Sequence, residues 1–352
     1  MKKYYVGMDV HQATTVIVVL NGKGKFVMET VVATKAESLR AFFKQLNGEV
    51  HVTFEEGTQA AWLHGLLRPL VARVLVCDAR RNKTTGNKTD RLDTHQLARW
   101  LWQGVLHPVY HGEPKLRRLK ELAPNYSSLV RDSTRVKNRL KAIYRGRGIS
   151  CAGSGLYRVE QRGQWLAKLR EVGARERASF LFQELDFLRT LRKAARQALL
   201  QEARRHSSYR LLRSLPQLGP VRVAQIIALV QTPFRFRNKR QFWTYAGFAV
   251  VVRMSSEYEL NEQGRAQRRR RPVATRGLNR NYNHELKYVL KSAAQRACVE
   301  GPFQECYERL IARGLDPSLA QLTIARKLAA ATLTVWKAGV PFAPEKMKEP
   351  MT

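Results

Sequence analysis

Acidic residues are scarce in this chain: 28 Asp and Glu stand against 63 Lys and Arg over 352 residues, a formal net charge of +35 at pH 7. So unbalanced a charge makes a polyanion the natural partner. Long apolar runs are also missing; a membrane span needs about 18 or more consecutive apolar residues, and none occurs. The opening MKKYYVGMDV runs from two lysines straight into an apolar strand pattern containing an aspartate, which is not the layout of a cleavable signal peptide. A cytoplasmic protein is expected. Cysteine is sparse, with Cys77, Cys151, Cys298 and Cys306 far apart and no CxxC pair. Neither a zinc site nor a disulfide framework is encoded, and all four read as ordinary thiols.

The length suits two or three modules, each able to bury a core. In the first, residues 1–112, Tyr4 to Val10 and Thr14 to Leu20 read as apolar strands. Asn21-Gly22-Lys23-Gly24 follows as a turn, and Lys25 to Val32 as a third strand. Leu39, Phe42, Phe43 and Leu46 recur at helical spacing in residues 36–47, Val50 to Phe54 alternates as a strand, and a helix near Gln59 to Val71 precedes a strand at Arg73 to Val76. Three strands, helix, strand, helix, strand is the element order of the ribonuclease H superfamily.

After Gly112 strand patterns vanish and basic helical segments take over. Residues 113–205 are expected to form a coiled coil or helical hairpin, with Leu181, Leu185, Leu188, Ala195 and Leu199 as its seam. Pro124 and the stretch Gly148 to Gly155 are expected to break it into pieces. The third module, residues 206–352, opens on Leu215-Pro216-Gln217-Leu218-Gly219-Pro220 between two helices, like a helix-hairpin-helix turn. There Gly219 would supply permissive backbone and amides for a phosphate, although a plain helix-helix turn reads equally well. The basic stretch Gly264 to Arg276 has the look of a loop. Its Arg265, Arg268, Arg269, Arg270 and Arg271 suit phosphate contact.

In so basic a chain the positions of the acids carry information. Asp9 closes the first strand, opposite in parity to Val6 and Met8, and Glu55 closes the strand HVTFE. Asp90 and Asp93 stand three apart at the start of a helix with apolar Leu92, Leu97 and Leu101, so they share a face. Lys88 and Arg91 flank Asp90 and could hold phosphate. Gathering such carboxylates is unfavourable by like-charge repulsion unless divalent cations join them. Two ions about 4 Å apart can stabilise both oxygens of a phosphoryl displacement, and Mg²⁺ suits oxygen ligands beside phosphates. Each acid alone has an ordinary explanation, such as a helix-dipole partner for Asp90; the ordered set is more specific.

That order, in GMDVH, FEEGTQ and NKTDRLDTHQLAR, resembles the DEDD transposases of bacterial insertion sequences, the IS-one-ten family, whose relatives include DNA invertases and bridge-RNA-guided recombinases. LPQLGPVRVAQIIALV and RFRNKRQFWTYAGF extend the resemblance over nearly the whole chain. It implies a RuvC-like, ribonuclease H-like catalytic domain, a coiled-coil linker and a mainly helical C-terminal transposase domain bearing a nucleophilic serine. The matching position is Ser255, with Ser256 adjacent; here Glu257-Tyr258-Glu259-Leu260 follow where relatives have small residues and glycines. Glu55 is preferred to Glu56 by strand parity and by Gly57-Thr58 beyond it. The implied activity is cleavage and rejoining of DNA with Mg²⁺, two ions per site, in a bacterial, nucleoid-associated protein partnered by a structured RNA. Strand exchange between duplexes needs several active sites, and the Leu181 to Leu199 seam offers a surface for a dimer or tetramer. The competing readings are a RuvC-like nuclease using water, which would not need the C-terminal module, and a noncatalytic nucleic-acid-binding protein, which would not need the acids.

Overall fold

The computed structural model describes residues 2–78, 90–112, 114–255, 258–260, 265–268 and 273–347. The chain divides into two compact units, Met1–Pro114 and Lys115–Thr352. Residues 113–205 and 206–352 thus fall almost wholly within one unit. Among the described residues no helix is long and apolar enough to cross a membrane.

The first unit is a mixed five-stranded sheet with helices on both faces. Strands β1 (Lys3–Val10), β2 (Thr14–Asn21) and β3 (Phe26–Ala33) form the meander expected from their apolar runs and the turn signal between the second and third. Helix α1 (Ala36–Gln45), β4 (Glu49–Glu55), α2 (Ala60–Leu67), β5 (Arg73–Cys77) and α3 (Asp90–Gln103) follow. The sheet order is β3-β2-β1-β4-β5, antiparallel across β1 to β3 and parallel from β1 through β4 to β5. The expected turn closes on side-chain chemistry, with Asn21 Oδ1 accepting from the Lys23 and Lys25 amides at 2.9 and 3.1 Å. Val6, Met8, Val52 and Phe54 point to one face and pack with Leu39, Phe42 and Phe43 of α1 and Leu63 and Leu67 of α2. The opposite face meets α3 through Leu75, Cys77, Leu97 and Leu101, and through Val18, Leu20 and Ala98.

The second unit is mainly helical. Helix α4 (Arg117–Arg145), the short α5 (Arg162–Ala167) and α6 (Val172–Ala203) lead to α7 (Ser208–Leu212), α8 (Pro220–Val230) and α9 (Lys239–Tyr245). Val136, Leu140, Ile143 and Tyr144 at the end of α4 meet Ala178, Leu181 and Leu185 near the start of α6. Leu119 and Ala123 at the start of α4 share a core with Leu199, Leu200 and Ala203 at the end of α6. The two helices are therefore an antiparallel hairpin whose far end is built into the C-terminal core.

Three expectations are corrected here. Pro124 does not break the helix, because α4 runs through it with Leu119, Ala123 and Ser127 buried along one side; packing along that line outweighs the one backbone hydrogen bond a proline removes. The Leu181 to Leu199 seam is no free self-association surface, since Leu181, Leu185 and Leu199 are buried within the chain. Strands do return: β6 (Val250–Ser255) pairs antiparallel with β9 (Val273–Leu278), and β7 (Tyr258–Leu260) with β8 (Ala266–Arg268). The stretch Gly264 to Arg276 is thus partly strand. Helices α10 (His284–Ala297), α11 (Gln304–Ala312) and α12 (Pro317–Ala338) complete the unit. Helix α12 has a full set of end signals: Asp316 accepting from the Ser318 amide at 2.8 Å, Pro317 in the first turn and left-handed Gly339 after the last.

Candidate active site

Parallel pairing of β1 with β4 sets Met8 beside Phe54, so one step further Asp9 stands beside Glu55 at the C-terminal edge of both strands. Val6, Met8, Val52 and Phe54 occupy the α1/α2 face; side chains alternate along a strand, so Asp9 and Glu55 are on the face that α3 covers. A β-carbon on Gly7, between Val6 and Met8, would lie 2.5 Å from the Thr94 carbonyl oxygen, which brings the α3 backbone directly onto β1. At its other end Trp102 sits against Gly24 and donates from Nε1 to the Gly22 carbonyl at 3.3 Å. That turn joins β2 to β3 beside the start of β1. Helix α3 therefore runs antiparallel to β1, and its first turn, with Asp90 and Asp93, enters at the edge where Asp9 and Glu55 end their strands.

Asp9 is partly buried and 3.2 Å from His11 Nε2. Glu55 is exposed. Glu56 turns away, with Oε2 2.7 Å from His111 Nε2, and His111 stacks on His64; the two adjacent glutamates are thereby separated. Among the described residues no three His, Cys, Asp or Glu side chains stand close enough together to hold a metal ion. The Asp90 side chain lies outside the described residues. Asp9, Glu55 and Asp93 are all among the described residues, so the structure does not gather these three into one ligand set, and an imidazole, His11, stands beside Asp9. Each of the three is a carboxylate, the type of oxygen donor that a hard cation such as Mg²⁺ takes.

In the second unit Ser255 ends β6 opposite Val273. Its side chain, the whole of Ser256, Lys88, Arg269, Arg270 and Arg271, and the side chain of Arg91 lie outside the described residues. Arg268 is in β8, across from Tyr258, and Arg265 is exposed just before it. The base of the β6/β9 ribbon is firmly held. Arg326 Nε donates to the Phe248 carbonyl at 2.8 Å, Trp243 Nε1 to the Arg326 carbonyl at 2.9 Å, and Asn279 Nδ2 to the Thr244 carbonyl at 2.9 Å. Gly247 takes φ +74°, and a β-carbon there would meet the Tyr282 ring at 2.5 Å, so glycine is needed in the YAG segment.

The turn before α8 is built differently from expectation. Gly219 has φ −62° and ψ 167°, open to most residues, whereas Gln217 carries the left-handed φ of 62°. Arginines missed in the sequence secure the turn: Arg222 donates to the Gln217 carbonyl at 2.9 Å and Arg213 to the Leu218 carbonyl. With Arg296 they line an open cleft of about 800 Å³ around Gly219. Burial pushes the Arg222 guanidinium below its ordinary value. Single basic residues scattered over helices gave no run to notice in so basic a chain.

Residues 6–146 match a DEDD-type transposase family model, and residues 209–308 match the model described as transposase IS116/IS110/IS902 family. The first segment takes in all four acids; the second takes in the turn, Ser255 and the arginine run. The chain is also 27% identical over 177 residues, 48% of its length, to a protein described as transposase for insertion sequence element IS1533 from Leptospira borgpetersenii. That match spans about half of the relative, 51%. With an N-terminal and a C-terminal transposase segment matched in order along one chain, the protein belongs to the IS116/IS110/IS902 family of transposases.

Proposed function

We propose that this protein is a DNA transposase that cleaves and rejoins DNA strands by phosphoryl transfer, with Asp9, Glu55, Asp90 and Asp93 as Mg²⁺ ligands and Ser255 as nucleophile. The observation that carries this reading is the parallel register that ends at Met8 beside Phe54, which makes Asp9 and Glu55 the next residue of each strand, with Asp93 in the first turn of α3, the helix packed on β1. Carboxylates drawn to one edge repel each other, and a divalent cation relieves that repulsion. When bound at such an edge, a pair of Mg²⁺ ions supplies neutralisation of phosphate charge and alignment of the attacking and leaving oxygens.

Ser255 Oγ loses its proton and bonds to the phosphorus of the scissile phosphodiester; the bond from phosphorus to one deoxyribose oxygen breaks, and that oxygen leaves as a hydroxyl carrying a proton. One phosphodiester replaces another, so attack by a new DNA hydroxyl can reseal the strand without an outside energy source. Lys88, Arg91, Arg265 and Arg268 to Arg271 contact the phosphate backbone. The turn at Gly219 acts as a helix-hairpin-helix contact, its α8 amides facing a phosphate. A structured RNA supplies sequence choice, and two or more copies bring the several active sites that strand exchange needs.

The test begins with the nucleic acid that copurifies with the chain, sequenced to identify DNA sites and any discrete RNA. On that DNA, wild type should form a covalent protein–DNA adduct on a denaturing gel. Ser255→Ala should lose the adduct while still binding DNA, and Asp9→Asn should lose it with the fold intact. Cleavage persisting in Ser255→Ala would convert the reading to a hydrolytic nuclease.

A further inference from the structure

Two clefts of the second unit meet at one arginine. The first, about 800 Å³, lies at the turn before α8 and is basic, with Arg213, Gln295 and Arg296 in its lining. The second, about 750 Å³, lies between α4, the start of α8 and α10. Its lining is mostly apolar: Tyr126 and Val130 of α4, Pro220 and Val221 of α8, Tyr288 and Val289 of α10. Gly219, Arg222 and Ser292 belong to both clefts. Arg222 donates to the Gln217 carbonyl at 2.9 Å and to the Ser292 carbonyl at 3.3 Å. Both partners are neutral, so its charge is held in place between the clefts without being neutralised.

The apolar cleft has the parts that hold a flat ring. Tyr288 is 66% exposed although its neighbour Val289 is buried, which leaves an aromatic face on the wall open to a second ring. Gln225, almost wholly buried, lines the same cleft, and its carboxamide is fixed by donating to buried Ser127 Oγ at 2.9 Å. Arg131 on α4 and Glu285 on α10 pair at 3.1 Å and set the width between these two walls. A phosphate alone would not need an apolar, aromatic recess, and an apolar peptide would not need an arginine at its border. A nucleotide uses both, with an anion on one side and a planar base on the other.

We propose that the cleft between α4, α8 and α10 takes the base of an unpaired nucleotide of the DNA strand, stacked on Tyr288, with the phosphate of that nucleotide beside Arg222 in the basic cleft. Exchanging strands between duplexes opens base pairs, and an opened base loses its stacking neighbours. An aromatic side chain replaces them at little cost in sequence preference, because every base has a face to stack. The inference rests on the reading of the Gly219 turn as a DNA contact and owes nothing to the carboxylate edge or to Ser255.

The experiment uses full-length protein freed of nucleic acid by nuclease and high salt, with EDTA present so that no strand is cut. Fluorescence anisotropy compares duplexes of one sequence that are fully paired, carry one unpaired thymine as a bulge, or carry an abasic residue in that bulge. Wild type should bind the thymine bulge about fivefold or more tighter than the other two, the gain expected from one base stacked on an aromatic side chain. Tyr288→Ala should bind all of them alike, with its unfolding midpoint unchanged because the ring is exposed, whereas Tyr288→Phe should keep the preference. With 5-iodouracil replacing the bulged thymine, long-wavelength ultraviolet light should cross-link the base to Tyr288. The proposal is overturned, with the DNA-binding reading left standing, by equal affinity of wild type for paired and bulged DNA. A preference that survives the abasic residue or Tyr288→Ala, or cross-links that map only elsewhere, have the same effect. Tighter binding of the same bulge in an RNA duplex overturns the assignment to DNA, and failure to bind any duplex overturns both readings.

Discussion

A β-carbon on Gly7 would stand 2.5 Å from the carbonyl oxygen of Thr94 and 2.7 Å from the amide nitrogen of Ala98. Helix α3 thus rests backbone against backbone on β1. Gly7 is two residues before Asp9 and Thr94 one after Asp93, so this contact sets how closely the helix acids approach the strand acids. Gly7→Ala must push the helix outward, at a cost of about 1–3 kcal/mol as for other overpacked sites. Gly57→Ala, where a β-carbon meets nothing within 4 Å, is the control and should be near neutral. Denaturant unfolding of the two variants measures the difference.

Gly219→Asp separates stability from binding. The backbone at Gly219 accepts an L-residue and the space beside it is open. An aspartate there caps α8 and favours its dipole, so the midpoint of unfolding should hold or rise, by about 0.5–1 kcal/mol at most. The same carboxylate stands where the helix amides would meet a phosphate, and affinity for DNA should fall. Equal affinity in a fluorescence-anisotropy titration would remove this turn from the nucleic-acid surface.

Most of the first unit was legible because its elements are short apolar runs or single-period stripes separated by clear turn signals. Strands β1 and β2 are short apolar runs, buried on both faces in the middle of the sheet, and Asn21 and Gly24 punctuate the turn; α1 carries Leu39, Phe42 and Phe43 on one stripe. The acids were legible from parity, which sends Asp9 and Glu55 away from Val6, Met8 and Phe54. The ribbon from Val250 to Leu278 was hidden because arginines interrupt its alternation and a charge run reads as loop. Pro124 misled because local propensity takes no account of the core on both sides of it. Gly219 drew attention as the glycine of the turn, while the left-handed position went to Gln217, whose carbonyl Arg222 holds from the next helix turn. Of α6, the line facing α4 was visible as leucines; that it faced inward, leaving Phe180 and Phe187 outside, depends on a partner helix distant in sequence.

Asp186 gives the helical hairpin an acid limit. Arg162 donates to both its oxygens, tying α5 to α6, and Arg189 donates to Oδ1 at 3.1 Å. These bonds hold the Asp186 carboxyl below the ordinary carboxylate range. A lowered folded value contributes stability that is present above the ordinary pKa, near 4, and is lost as pH falls through the lowered value. Asp186→Asn should remove that pH dependence, seen as hydrogen-exchange protection of α5 that no longer changes in acid.

Binding to DNA should weaken steeply with salt, with a logarithmic slope of about −0.7 to −0.9 per phosphate contacted. Replacing Arg269, Arg270 and Arg271 together by Ser should make that slope shallower in proportion to the phosphates these side chains neutralise, while leaving the unfolding midpoint unchanged. A slope identical to wild type would place these three side chains away from the phosphates.

The carboxylate edge is tested most directly by Mn²⁺, an oxygen-seeking stand-in for Mg²⁺, titrated into nucleic-acid-free protein and followed by the electron paramagnetic resonance of the free ion. Wild type should bind it, and Asp9→Asn and Asp93→Asn should each weaken binding by about tenfold or more, the loss typical of disturbing a metal site's ligand environment. Binding by both variants as tight as wild type, with the fold intact, would contradict a metal site at this edge.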